Sequence, residues 1–211
     1  MPQKNEREYR SMTMTARDGE EEKMTVEGYA TTFNDVYTLF EDDEIIYSEQ
    51  VDPHAFDDAD MTDVIMQYDH AGRVFARIKN ETLRVAPDDA GLFISADLGG
   101  TEIGRQLYTE IAGGYTDKMS FGFIVSKDEE QRTEAEDGRV QITRTILGIS
   151  KLFDVSAVSI PANNGTTIGV STRSKIDGAI EAIHAERREA ERLELERKRA
   201  EVRAKALMGR R

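Results

Sequence analysis

The 211 residues include no cysteine, which excludes disulfides, thiolate metal sites and thiol catalysis together. Histidine is scarce as well: His54, His70 and His184 are the whole supply. No two of them lie at ligand spacing, so no catalytic metal is expected. No glycine-rich loop precedes a Lys-Ser/Thr pair, so nucleotide chemistry lacks its usual cradle and no cofactor is expected. No apolar run approaches the ~18 residues of a membrane helix, and Met1 to Glu22 contains no stretch that reads as a signal peptide. Cytoplasmic synthesis and no membrane partner follow as expectations. A repeat period is also missing.

Charge is abundant but mostly of one sign, with 41 acidic against 28 basic residues, a net of −13. The imbalance is uneven. From Ser174 onward 11 basic residues face 8 acidic ones, so the tail carries +3 and the remainder −16. An acidic body is a poor partner for a phosphate backbone, and the tail interleaves its basic residues with glutamates. No nucleic-acid partner is expected.

Three parts are legible. Residues 1–23 are polar and read as a mobile N-terminal segment. Residues 24–173 alternate short apolar runs with turn signals, the pattern of a mainly β domain with flanking helices (α+β). Residues 174–211, rich in Ala, Glu, Arg and Leu, read as a long, charged C-terminal helix.

Within the domain, strands are expected at Met24–Phe33, Val64–Tyr68, Val74–Lys79 and Lys118–Ser126, and again at Val140–Leu147 and Ser150–Ile160. Leu83–Val85 and Leu92–Leu98 form a hairpin across the turn-forming Pro87–Gly91. From Thr101 to Ala112 the period changes, with Ile103, Leu107 and Ile111 four apart; Thr101 is the N-cap and Gly113-Gly114 the stop. Acidic Lys127–Gly138 reads as an exposed loop, and Pro161–Gly165 ends the series. Many strands with few helices suggest a closed or nearly closed antiparallel barrel.

Hydrolytic chemistry needs a nucleophile, a base and a group to orient the base. Ser120 lies in Met119-Ser120-Phe121-Gly122-Phe123. On a strand, Met119, Phe121 and Phe123 share one face, while Lys118, Ser120 and Gly122 share the other. Gly122 leaves room beside the hydroxyl for a substrate backbone. His70 ends a strand in Tyr68-Asp69-His70-Ala71-Gly72, and imidazole is the natural base near neutral pH. Asp154 lies among apolar neighbours, where an unpartnered carboxylate is costly, so a donor such as an imidazole N–H should meet it. Pairing of Asp154 with Arg144 or Lys151 is the structural alternative. Arg144 and the backbone N–H groups near Ser120 are candidates for stabilising an oxyanion. Lys118 keeps a Ser–Lys dyad open. His54 reads as a turn or surface residue, and His184 as a solvated tail residue.

These segments form an ordered series: Glu27-Gly28-Tyr29-Ala30 with Phe33, Asp52-Pro53 with Ala55-Phe56, and Asp69-His70 with Gly72-Arg73. Met119-Ser120-Phe121-Gly122-Phe123, Asp154-Val155-Ser156 with Val158, and Pro161-Ala162-Asn163 complete it. From about Val26 to Val170 the chain resembles the prohead proteases of tailed bacteriophages, capsid-maturation serine proteases related to herpesvirus assemblin. The resemblance implies an assemblin-like barrel with surrounding helices, working in the host cytoplasm inside the immature capsid. It implies cleavage of the scaffold, or of the scaffolding segment of the major capsid protein, and of the protease itself. His70 and Ser120 fall on that family's base and nucleophile; Asp154 falls where relatives often carry glutamate. His54 stands where glycine is common, and the acidic loop is longer than usual. In the tail, Ile176, Ala179, Ile183, Ala190, Leu193, Ala200 and Leu207 fall near a and d positions, a weak seam that permits self-association. The tail therefore reads as a targeting or scaffold-like segment, and a non-enzymatic assembly protein is the competing class.

Overall fold

The computed structural model describes residues 7–16, 24–159 and 170–208. The expected Pro161–Gly165 turn and the Pro161-Ala162-Asn163 motif lie outside them. Two compact units divide the chain at Arg173/Ser174.

The first unit is built on strands. In order they are β1 (Arg7–Ala16), β2 (Thr25–Thr32), β3 (Tyr37–Glu41), β4 (Ile45–Val51) and β5 (Ile65–Tyr68). Then follow β6 (Ala71–Arg77), β7 (Leu83–Pro87), β8 (Gly91–Asp97), helix α1 (Glu102–Ala112), β9 (Lys118–Glu134) and β10 (Val140–Val158). The strand order is β3-β4-β10-β9-β1-β2-β8-β7, with β5 on β10 and β6 on β5.

The mainly β architecture matches the sequence pattern, but the sheet is mixed and not closed. β10 pairs antiparallel with β9, while β4 and β5 both pair parallel with it. At 19 residues β10 is long enough for the two short strands to share its length. Both reach it through long connections, so the antiparallel sense that a tight turn imposes does not apply. The outermost strands β3 and β7 do not pair with each other. The closed or nearly closed antiparallel barrel expected from the sequence is thereby corrected to a mixed, open sheet, within the mainly β class that was expected.

Two further segments differ from the pattern reading. Acidic Lys127–Glu134 continues β9 instead of looping, with Glu130 opposite Arg144 and Asp128 opposite Ile146. Backbone pairing holds an exposed strand whose side chains carry no apolar alternation. At the other end Arg7–Ala16, inside the segment set apart at the N-terminus, is β1. It pairs with β9 through Arg7–Thr13 and with β2 through Met14–Ala16. Its polar composition hides an alternation in which Glu8, Arg10 and Met14 are buried.

The core lies on the Phe121 face of β9, where Phe121 and Phe123 stack at 4.6 Å with Met119, Leu152 and Val155 around them. α1 starts as expected: the Thr101 hydroxyl accepts from the Gly104 N–H at 3.0 Å. Leu107 and Ile111 are its buried face, and it packs against β1, β2 and β6.

The second unit is the body of helix α2 (Val170–Met208). From His184 to Arg203 its side chains are exposed, laced by Glu189–Arg192, Glu194–Lys198 and Arg197–Glu201 pairs. Such pairs add only ~0.2–0.5 kcal/mol each.

Candidate active site

Strand pairing assembles the site. Ser120 on β9 stands opposite Ser156 on β10 and Ser11 on β1, while Gly122 stands opposite Asp154 and Tyr9. Directly opposed residues share a face. One sheet face therefore carries Ser120, Asp154, Ser156, Tyr9 and Arg7, and the apolar core occupies the other. A register shift between Leu152 and Asp154 makes this possible. Without it, Asp154 would turn toward the phenylalanines.

His70 reaches the same face from a two-residue turn. Asp69 (φ 46°) and His70 (φ 56°) both adopt left-handed backbone, the requirement of the tight hairpin joining β5 to β6. Non-glycine residues there cost of the order of 1 kcal/mol each, so the turn persists because it is tied down. The Asp69 N–H donates to Ala157 O at 2.8 Å, and the Asp69 carboxylate accepts from the Ser159 N–H at 2.9 Å. The turn that carries the imidazole is thus fastened to the strand that carries the carboxylate.

His70 Nδ1 lies 2.6 Å from Asp154 Oδ2, and the Ser156 hydroxyl donates to the same oxygen at 2.8 Å. A carboxylate only accepts, so Nδ1 carries the proton, and in the neutral imidazole Nε2 then presents a lone pair. Arg7 Nη2 pairs with the other oxygen, Oδ1. Tyr9 packs its ring on the imidazole at 4.2 Å. Asp154 is 0 % exposed. Burial alone pushes its carboxyl up, but the hydrogen bond from His70, the charge that His70 bears only when protonated, the Arg7 guanidinium and the Ser156 hydroxyl together hold it below the ordinary carboxylate range.

Ser120 is 1 % exposed, and its hydroxyl is one of two buried side-chain polar atoms without a partner among the described residues. The other is Arg7 Nε. The structure thus joins His70 to Asp154 and sets Ser120 beside Ser156 on that carboxylate's face, with no hydrogen bond from Ser120 to His70. A buried hydroxyl left unpaired forfeits about 1–3 kcal/mol, so this serine is not retained for stability. Substrate access requires the groups over it to move.

The room expected beside Gly122 is filled from within the chain. A Cβ there would collide with Asp154 Oδ1 and lie 2.5 Å from Arg7 Nε. Gly122→Ala should therefore push the carboxylate or the guanidinium aside. The expected cost is about 1–3 kcal/mol in stability, with His70 losing its alignment. An unchanged melting curve together with unchanged cleavage would show that the face has slack to absorb the methyl group.

Other candidates stand elsewhere. Arg144 is fully engaged with Glu8, Glu49 and Asp128. Glu8 opposes Phe123 and Arg10 opposes Phe121, so this network lies on the core face, opposite to Ser120. That corrects the oxyanion role considered for Arg144, and alternation along β1 is the reason. The backbone N–H groups around Ser120 are committed to β1 and β10, which flank β9 on both edges. Lys118 Nζ contacts Thr13 and Asp117 at 3.3 Å each, not the serine. Lys151 pairs with Asp60. Exposed His54 contacts Asp57 at 3.0 Å. Among the described residues no cluster of His, Asp and Glu is arranged to hold a metal, and no helix is long and apolar enough to cross a membrane.

Sequence reasoning missed Arg7, Tyr9 and Ser156. Ser156 was within reach, since period 2 from Asp154 puts both on one face. Arg7 and Tyr9 had no local signal, because only the β1–β9 register brings them in.

An imidazole held by a buried carboxylate, with an unpaired serine on the same face, is the chemistry of a serine hydrolase. Residues 10–178 match the family model of the caudovirus prohead serine proteases, and the chain belongs to that family of phage capsid-maturation proteases. No curated protein and no solved structure matches it.

Proposed function

We propose that this chain is an endopeptidase acting through Ser120, His70 and Asp154. Its substrates in this reading are the scaffold, or the scaffolding segment of the major capsid protein, and the chain itself, inside the immature capsid. The observation that carries the reading is the 2.6 Å contact between His70 Nδ1 and buried Asp154, on the face of Ser120. The contact fixes the tautomer that leaves Nε2 able to accept a proton.

In the reaction Ser120 Oγ attacks the scissile carbonyl carbon as His70 Nε2 takes the hydroxyl proton. Collapse of the tetrahedral intermediate breaks the C–N bond, and the imidazolium returns its proton to the leaving amine. Water, deprotonated by the same nitrogen, then releases the acyl group and restores the serine. Asp154 stays ionised throughout and balances the imidazolium. The charged tail fits a segment that brings the enzyme into the shell and is itself removable.

Co-expression with the neighbouring coat and scaffold proteins, followed by intact-mass measurement of every chain, tests the proposal. Shortened coat or scaffold chains, and a protease lacking its tail, are expected. Full-length masses throughout, in shells that assemble normally, would overturn it.

A further inference from the structure

Arg7 lies upstream of residues 10–178, the span that matches the family, yet its side chain sits inside the site. Four observations fix it there. Nη2 pairs with Asp154 Oδ1. The guanidinium occupies the hollow over Gly122, within 2.7 Å of where a Cβ would be. It packs between the rings of Tyr9 (5.1 Å) and Phe153 (4.6 Å). Its Nε is buried without a partner.

Among the described residues Asp154 has three partners: Arg7, His70 and Ser156. A carboxylate with no exposure needs a counter-charge, because hydrogen bonds from neutral donors offset only part of its desolvation. Ser156 is neutral. His70 could supply the charge only by holding a second proton, and an imidazolium cannot act as a base. Arg7 is always charged, and its planar fork suits a carboxylate.

We propose that Arg7 is the standing counter-ion of Asp154 and thereby a positioning residue: it takes the charge-balancing role so that His70 rests neutral, with Nε2 free. The inference rests on the endopeptidase reading only for its catalytic consequence. Around the pair, β1 brings Arg7 and the phenol of Tyr9. From β10, Lys151 reaches the Phe153 ring at 5.4 Å. From the turn, Asp69 is taken up by Ser159. Lys118 on β9 is directed to Thr13 and Asp117. No second cation is placed to take over from Arg7 among these groups.

The test uses the full-length chain as wild type, Arg7→Ala and Arg7→Lys. Imidazole NMR titration follows His70 directly, since there are only three histidines and His54→Gln and His184→Gln assign the others. In Arg7→Ala the imidazole is expected to keep its proton to higher pH, by about one unit or more, because it must now balance Asp154 itself. Cleavage of co-expressed coat protein should slow by about tenfold near neutral pH, and Arg7→Lys should restore both readouts to within about threefold. A loss of packing alone would not move the titration.

An imidazole titration that does not move in Arg7→Ala, or that Arg7→Lys fails to restore, overturns the inference. Faster cleavage by Arg7→Ala also overturns it, because the arginine would then be a plug over the serine. If wild type cleaves nothing but the titration shifts as expected, the counter-ion role stands and the endopeptidase reading falls.

Discussion

Ser120→Ala is expected to abolish cleavage, with turnover falling by something like 10⁶-fold, while the melting temperature stays level or rises slightly. The two halves come from one observation. In the proposed mechanism, removing the Ser120 hydroxyl leaves no oxygen to form the acyl intermediate, and Ser156, the neighbouring hydroxyl, is committed to Asp154 at 2.8 Å. Removing a buried hydroxyl ordinarily strands its partner. Ser120 has no partner to strand among the described residues, so its loss relieves an unpaired group, worth up to about 1 kcal/mol of added stability. Intact-mass analysis of co-expressed coat protein and thermal denaturation of the purified variant check both halves. Retained cleavage would move the nucleophile elsewhere, and a large fall in melting temperature would make Ser120 a structural residue.

Arg144→Met should cost about 3–5 kcal/mol, or a fall of roughly 10 °C in melting temperature for a domain of this size. Arg144 is 1 % exposed and joins Glu8, Glu49 and Asp128. Arg10 binds the same two glutamates from β1, and Tyr37 adds its hydroxyl to Glu49 at 2.6 Å. This core-face network ties β1, β4, β9 and β10 together. Methionine keeps much of the volume but removes the charge, leaving Arg10 alone against three carboxylates. Asp128→Asn, at the more exposed rim, should cost about 1 kcal/mol or less. Calorimetry on both variants decides the matter: equal melting temperatures for Arg144→Met and wild type would mean that water or rearranged side chains replace the guanidinium.

The two arginines of β1 explain why the first strand escaped a pattern reading. Polar alternation signals a strand only when one face is apolar, and Arg7–Ala16 buries Glu8 and Arg10 on one face while Arg7 serves the other. Composition therefore reads as solvated chain. Lys127–Glu134 misleads for the related reason that backbone pairing and polar contacts such as Asp128–Arg144 hold it, with no apolar face to show in the sequence. Helix α1 was legible to the residue at its cap because its signals, Thr101 and a four-residue apolar period, are local.

What the sequence determined by itself is whatever depends on neighbours along the chain. The mainly β class, α1 with its cap, the long charged helix and the two faces of Met119–Phe123 follow from period and residue type. So does the need of Asp154 for a donor, since an isolated carboxylate in an apolar run is costly wherever it folds. Only the tertiary structure decided which donors answer it and which residues share its face. Those depend on strand register, on the shift at Leu152/Asp154 and on a left-handed turn at Asp69-His70. The register of β1 is set by pairing with β9, more than a hundred residues away, and moving that strand by a single residue would send Arg7 to the core and Arg10 to the site.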